Sequence, residues 1–298
     1  MIDQPALRPG GAIGEALRAV ARDIVAEARA AIDDPQRSDA VAVHDYRKAM
    51  KRWRALLRLL EPFLGDDGHR LRIEARDLAR ELAGARDIQA VLDALSDVEK
   101  AKPGLSPTSF KTMRGRIAAI KHAAETTTLT PGMRERLRAA LAGAERAIDA
   151  WPLGELKFAD VAARLAEGYR GARSAIPAAW SRASDDKLHE LRRRVVEHRY
   201  QIEVVEPLWP RFGKLWVGEA QRLRERLGTC HDLALLVAMT APRQALAPWR
   251  SRLTPLVAAR KAVHVSTAQR LAGRLFAEKP KAFRRRLMAL WESRGDED

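Results

Sequence analysis

One segment of this sequence occurs twice, 145 residues apart. Residues 43–64 read VHDYRKAMKRWRALLRLLEPFL, and residues 188–209 read LHELRRRVVEHRYQIEVVEPLW. The gapless alignment pairs His44 with His189, Arg47 with Arg192, Lys48 with Arg193, Arg54 with Arg199, Glu61 with Glu206 and Pro62 with Pro207. At the same shift, residues 12–32 match 157–177, and residues 71–92 match the stretch around 217–237. The sequence therefore predicts two homologous halves within one chain.

Each copy of the segment predicts a helix with one apolar and one basic face. In the first copy the apolar residues recur at spacings of three and four, as one face of an α-helix requires. The apolar face carries Tyr46, Met50, Trp53, Leu57 and Leu60, and the opposite face carries His44, Arg47, Lys48, Lys51, Arg54 and Arg58. Because like charges on one helix face repel, this basic face predicts an anionic partner. The Glu-Pro pair that follows predicts a helix stop.

Composition indicates an all-α protein with a basic surface. The 298 residues are 46% hydrophobic and 31% charged, which is ordinary for a globular protein, and strand-like alternation is scarce. Breaks that contain Pro and Gly leave roughly four helical segments in each half. The formal net charge of +15 describes the surface field rather than the fold.

A second stripe of basic and small residues lies on the next predicted helix. It comprises Arg72, Arg76, Ala79, Ala83 and Arg86, with Arg80 beside it, and it lies opposite Leu71, Leu78, Leu82 and Ala85. If this stripe faces the first one, the two helices together form a cationic groove.

The paired H-x-x-R-K/R motifs, the Glu-Pro stops and the later L-x-x-x-R/H-D segments resemble the conserved histidine α-helical domain (CHAD) family. The resemblance covers nearly the whole chain and implies a single domain over residues 1–298. It implies an all-α fold of two four-helix bundles, related by a pseudo-twofold axis and packed as one compact unit. The predicted halves are residues 12–152 and 153–291. The resemblance also implies a basic groove or central cavity that binds inorganic polyphosphate.

The candidate polyphosphate-binding residues have two sources. The resemblance carries over His44, Arg47, Lys48, Lys51, Arg52, Arg54, His189, Arg192, Arg193 and Arg199. The basic stripes and the second copy add Arg58, Arg72, Arg76, Arg80, Arg86, Tyr200 and His231. Arginine suits this ligand because its guanidinium group forms bidentate hydrogen bonds with phosphate oxygens. We expect no catalytic residue, no metal site and no cofactor.

The second copy lacks some of the basic positions of the first. Val196, Glu197 and Glu203 stand where the first copy has Lys51, Arg52 and Arg58. We therefore expect the second half to bind anions more weakly. His198 takes the position of the apolar Trp53, and we expect it to be packed in the interior rather than to contact a ligand.

Two other classes of function stay open on sequence grounds. Non-specific nucleic-acid binding is the main alternative, because a basic groove attracts any polyanion. Most aromatic residues of the motifs lie on the apolar face, however, and only Tyr200 lies on the basic side. Phosphate transfer or metal binding is less favoured, because the sequence has no G-x-x-x-x-G-K-S/T loop and no H-E-x-x-H pair.

The sequence indicates a cytoplasmic protein without a membrane span. The N-terminus does not read as a secretory signal, and no stretch reaches the roughly 18 apolar residues of a membrane helix. Cys230 is the single cysteine, so no intramolecular disulfide can form. The resemblance leaves several roles open, among them attachment to polyphosphate granules, regulation of a polyphosphate enzyme and delivery to a partner.

Overall fold

The computed structural model describes residues 7, 12–82, 84–101, 104–125 and 129–293, without the side chains of 84–87 and 123–125. Its helices are α1 (Ile13–Asp33), α2 (Asp39–Leu64), α3 (Asp66–Glu81), α4 (Gly84–Lys100), α5 (Pro107–Glu125), α6 (Pro131–Asp149), α7 (Phe158–Ser174), α8 (Asp185–Val205), α9 (Pro210–Ala238), α10 (Arg250–Leu275) and α11 (Pro280–Ser293). Short 3₁₀ helices occupy Trp180–Arg182, Glu206–Leu208 and Ala247–Trp249. The described residues contain no strand, and the predicted all-α class is confirmed.

Two groups of four helices form most of the molecule. In the first group α2 packs on α1 and α3, and α6 packs on α1 and α3. In the second group α8 packs on α7 and α9, and α11 packs on α7. The groups meet where α2 contacts α8 and α7, and one continuous apolar core runs through both. This arrangement places the two copies of the repeated segment, in α2 and α8, at the centre of the molecule.

The remaining helices form a separate, smaller core. Here α4 packs on α5 and α9, and α10 packs on α9 and α4. The buried side chains of this core include Leu95, Phe110, Met113, Leu233 and Leu253. Among the described residues, 13–149 hold six helices and 158–293 hold five, so the expectation of four segments per half was too low. The extra helices build this second core.

The apolar face of α2 lies where the sequence predicts it. Tyr46, Met50, Trp53, Leu57 and Leu60 are all buried. The Trp53 ring stacks on Trp151, with 5.8 Å between ring centroids. This packing fixes the rotation of α2 about its own axis. The basic face opposite Trp53 therefore points away from this core.

The predicted helix stop is wrong for the first copy and confirmed for the second. Helix α2 continues through Pro62 to Leu64, whereas α8 ends at Val205, directly before Glu206 and Pro207. Proline in a helix removes the N–H that would bond the carbonyl four residues earlier. In α2 that carbonyl belongs to Arg58, and it accepts a hydrogen bond from Arg164 Nη2 at 3.4 Å. Arg164 thus replaces the bond that Pro62 removes.

Candidate anion-binding site

A cavity of about 770 Å³ lies beside the first half of α2. We call it the central cavity. Its walls come from α2, the end of α3, α4, α5 and the stretch before α6, and on the other side from α8 and α9. Its basic lining residues are His44, Arg47, Lys48, Lys51, Arg52, Lys121, Arg199 and Arg224. The structure therefore brings basic residues of both halves together around one space.

The charge of the central cavity is strongly unbalanced. Seven Lys and Arg side chains line it, and Asp39 is the one carboxylate among the described lining residues. Asp39 in turn accepts a hydrogen bond from Arg134 at 2.6 Å, so its charge is matched outside the lining. Closely spaced cations repel unless an anion lies among them, and the repulsion is stronger than in bulk water because protein surrounds the cavity. The lining thus favours an anionic occupant.

Arg47 is positioned by the end of α3. Its Nη1 donates a hydrogen bond of 2.5 Å to the carbonyl oxygen of Ala79. This carbonyl lies in the last turn of α3, where backbone carbonyls have no partner within the helix and the helix dipole is negative. The bond directs the Arg47 side chain from α2 across to α3 at the cavity wall.

Two carboxylates lie beneath the basic lining, Glu27 on α1 and Glu203 on α8. Arg52 Nη1 donates to Glu27 Oε2 at 2.7 Å, and Arg52 Nε lies 3.4 Å from Glu203 Oε2. Arg199 also donates to Glu203. Arg52 and Glu203 are both buried. Burial raises the pKa of Glu203, and the charges of Arg199 and Arg52 act against that rise. Arg52 and Arg199 therefore face the cavity with part of their charge already matched.

Tyr200 forms part of the cavity wall on the basic side of α8. The Arg199 guanidinium lies 4.0 Å from the centre of its ring, and the Arg52 guanidinium lies 5.9 Å away. Cation–π attraction of this kind holds the two arginines against the ring. Tyr200 thus orients guanidinium groups, and one ring face is already occupied.

The second part of the α2 stripe faces α3 and not the central cavity. Arg54 and Arg58 lie with Arg72, Arg76 and Arg80; we call this set the α3 arginine cluster. The pKa of Arg54 is lowered by burial and then by the charges of the other four arginines. Two stripes facing one another were predicted to form the groove. The two stripes do face one another where α3 packs on the later turns of α2, but the α3 arginine cluster that they form lies outside the described lining of the central cavity.

Carboxylates neutralise much of the α3 arginine cluster. Arg72 lies 3.4 Å from Glu61, Arg76 lies 2.8 Å from Asp77, and Arg58 lies 3.3 Å from Glu197. Burial raises the pKa of Glu197, with the charge of Arg58 opposing it. Arg86 was predicted to extend this stripe, but its side chain lies outside the described residues.

Among the basic residues of the second copy, Arg199 lines the central cavity, but its described lining does not include His189, Arg192 or Arg193. His189 and His231 have ring centroids 5.0 Å apart, and Arg193 lies 2.5 Å from Glu190. The Arg192 side chain packs beside Gly228 of α9. Burial lowers the pKa of His189, and the neighbouring charges of His231, Arg192 and Arg193 add to this effect. This lowering of the pKa favours the neutral His189 ring, which has one N–H donor rather than two.

His198 is buried, as expected. It is 1% exposed, and its Nε2 accepts a hydrogen bond from Trp216 Nε1 at 3.0 Å. Burial lowers the pKa of His198 to about 3. His198 stands where the first copy has Trp53, and both side chains are buried in the interior.

Sequence reasoning missed several residues of the cavity: Gln89, Lys121, Gln221 and Arg224. The repeat contains a signal for Arg224, because the 145-residue shift aligns Arg224 with Ala79 of the second stripe. No such signal exists for Lys121. It lies on α5, in the region where the two halves no longer align.

A protein-family model covers most of this chain. The model of the CHAD domain matches residues 15–241. The chain belongs to the CHAD domain family. No curated protein matches it in sequence.

Two solved structures share the fold of this CHAD protein. PptA from Streptomyces chartreusis is similar with a TM-score of 0.66 and 19% sequence identity, over 90% of this chain and 100% of that one. The CHAD domain from the plant Ricinus communis is similar with a TM-score of 0.57 and 17% identity, over 95% of this chain and 94% of that one. Nearly the whole chain is thus a CHAD fold.

The described part of this CHAD protein contains neither a metal-binding cluster nor a membrane-spanning helix. No group of three or more His, Cys, Asp or Glu side chains there could hold a metal ion. No helix there is long and apolar enough to cross a membrane.

Proposed function

We propose that this protein binds inorganic polyphosphate in the central cavity and does not catalyse a reaction on it. The observation that carries the proposal is the lining itself. Its described residues include seven Lys and Arg side chains from both halves and a single carboxylate. Membership of the CHAD family supports the same ligand, because the family is known for polyphosphate binding.

The lining suits a chain of phosphates better than a single anion. His44 and Lys51 are two turns apart on α2, which separates them by about 10 Å along the helix axis. Arg199 and Arg224 contribute from the opposite wall. Arginine supplies bidentate hydrogen bonds and lysine supplies a compact charge, so consecutive phosphate groups each meet a cation. A flexible polyanion can follow this path without a change in the protein backbone.

Nucleic acid is the second candidate for the same charges. Single-strand binders usually add exposed aromatic rings on which bases stack. In the cavity the aromatic residue among the described lining is Tyr200, and Arg199 already covers one face of its ring. Competition between polyphosphate and single-stranded DNA at equal charge concentration separates the two candidates. We expect polyphosphate to displace the DNA.

The direct test compares charge reversal at two equivalent positions. Lys48 lines the cavity and Arg193, 145 residues later, does not. In a titration with long-chain polyphosphate in chelator, Lys48→Glu should weaken binding by about tenfold, an effect of roughly 1.4 kcal/mol. Arg193→Glu should weaken binding by less than about threefold, because only screened long-range repulsion is added. Equal losses in two folded variants, or a strict need for a divalent metal, would contradict the proposal.

We also expect the protein in the cytoplasm, and at polyphosphate granules where these form. A fluorescent fusion imaged in cells with and without granules checks this expectation.

A further inference from the structure

One buried carboxylate joins arginines of both halves beneath the central cavity. Glu203, on α8, lies 3.4 Å from Arg52 Nε and accepts a hydrogen bond from Arg199 Nη1. Both arginines line the cavity, whereas the Glu203 side chain is only 5% exposed and is not among the described lining residues. A guanidinium group has five N–H donors, so a phosphate in the cavity can bond the same arginines from the other side. The carboxylate and the ligand therefore compete for the charge of the same two groups.

Burial makes the charge of Glu203 sensitive to pH. A buried carboxylate is disfavoured in its ionised form, and nearby cations favour that form. For Glu203 burial is the larger effect, so its pKa lies above the ordinary value of 4.5, while the charges of Arg199 and Arg52 act against the rise. Glu206, in the 3₁₀ helix that follows α8, raises the pKa further by like-charge repulsion. Glu203 thus takes up a proton at a higher pH than an exposed glutamate does.

The other neighbours of Glu203 differ from one helix to the next. On α1, Glu27 accepts a hydrogen bond from Arg52 Nη1 at 2.7 Å, so the two carboxylates share this arginine. The face of α8 that packs on α7 presents the uncharged Gln201, which is buried against a glycine of α7. On α9, Arg224 lines the cavity. Loss of the Glu203 charge would therefore leave the cavity with more uncompensated positive charge.

We propose that Glu203 makes polyphosphate binding responsive to pH, because protonation of its carboxylate releases the charge of Arg52 and Arg199 for the ligand. The inference rests on the proposed function, since the ligand is the polyphosphate of the central cavity. A polyanion beside the two arginines in turn disfavours the ionised carboxylate, so binding and proton uptake favour each other. The affinity should rise as the pH falls through the pKa of Glu203 in the complex. It should level off below the pKa of Glu203 in the free protein.

The test is a titration of the full-length protein with long-chain polyphosphate at constant ionic strength, from about pH 8 to about pH 5. Histidine also changes its charge in this range, and His44 lines the cavity, so the informative quantity is a difference between two proteins. We expect the affinity of the unmutated protein to rise about fivefold more over this range than that of Glu203→Gln, which lacks the titrating carboxylate. The variant should bind tightly at every pH.

The matched control is Glu197→Gln. Glu197 is a carboxylate on the same helix whose pKa burial also raises, but its partner Arg58 lies outside the described lining of the cavity. This variant should keep the full pH response of the unmutated protein. Equal loss of the response in Glu197→Gln and Glu203→Gln would overturn the assignment to Glu203.

Infrared difference spectroscopy tests the same inference without a variant of Glu203. When polyphosphate is added at a pH where the affinity is rising, the C=O band of a protonated carboxyl group should appear, and no histidine can produce this band. Glu27→Gln should keep the band, because the proton is expected on Glu203. Absence of the band from the unmutated protein would overturn the inference.

The outcomes separate this inference from the proposed function. If the unmutated protein and Glu203→Gln both bind polyphosphate with the same dependence on pH, the inference is wrong and polyphosphate binding stands. Loss of the whole response in His44→Gln would also overturn it, since the histidine would then be the responsive group. If the folded protein binds no polyphosphate at any pH at low salt, the proposed function fails as well.

Discussion

Replacing Glu203 by Gln should make the protein bind polyphosphate more tightly. Glu203 is buried beneath the cavity, where it neutralises part of the charge of Arg52 and Arg199. The amide of Gln has nearly the same shape and can still accept a hydrogen bond, but it carries no charge. The substitution therefore adds one unit of positive charge to the site without changing its walls.

The size of the effect follows from the position of Glu203. A phosphate that contacts the outer side of these guanidinium groups lies roughly 8 Å from the carboxylate, and Coulomb's law with an effective dielectric constant of about 20 gives about 2 kcal/mol of repulsion. Screening by salt reduces this to about 1 kcal/mol, which corresponds to about a fivefold gain in affinity. By analogy with nucleic acids, binding should also depend more steeply on salt. Unfolding should become easier by about 1–3 kcal/mol, because charged hydrogen bonds are lost.

The assay is a titration with long-chain polyphosphate at several salt concentrations, with Glu197→Gln as the matched control. Glu197 lies at the same crossing of α2 and α8, but its partner Arg58 belongs to the α3 arginine cluster and does not line the cavity. Glu197→Gln should leave the affinity within about twofold, since the added charge is more distant and screened. Unchanged or weaker binding by a folded Glu203→Gln protein would refute the reasoning. So would an equal gain in both variants.

Two further predictions concern stability. Trp53→Ala should lower the free energy of unfolding by about 3–5 kcal/mol, because it removes a buried ring stacked on Trp151; denaturant unfolding measures this, and a loss below about 1 kcal/mol would contradict the packing. His198 has a folded pKa of about 3 against an ordinary value of 6.5, so the unfolded state takes up a proton first as the pH falls. The stability from neutral His198 is thus complete above pH 6.5 and is lost as the pH falls towards 3, at up to about 1.4 kcal/mol per pH unit. His198→Gln should flatten the dependence of unfolding free energy on pH between 4 and 6.5, relative to the unmutated protein, and an unaltered slope would show that another group causes it.

The helices and their rotation about their axes were predictable from the sequence because burial alone sets them. Tyr46, Trp53 and Leu57 recur with the helical period, and each is buried. The end of α2 was not predictable, because Pro62 normally stops a helix. The compensating bond from Arg164 comes from a residue more than 100 positions away in the chain.

The composition of the site was only partly predictable. The sequence shows that His44, Arg47, Lys48 and Lys51 share a face, and this face does line the cavity. Which helices lie across the cavity from this face is a tertiary fact. The end of α3 contributes Leu82 to the lining, but none of the stripe arginines of α3 is among the described lining residues. The opposite wall comes from α8 and α9 instead. The internal duplication itself stays a prediction. The order of the helices is compatible with it, although α9 is continuous where α3 and α4 are separate.

Two ion pairs at the crossing of α2 and α8 determine which helices can pack against each other there. Arg52 contacts Glu203 and Arg58 contacts Glu197, so both cations lie on α2 and both carboxylates on α8. If two α2 helices crossed in this way, arginine would face arginine, and two α8 helices would bring carboxylates together. Each homotypic crossing places like charges in a site of low dielectric, where repulsion is strong. Charge therefore favours the pairing of an α2 helix with an α8 helix over the pairing of two identical helices. A single chain supplies both helices.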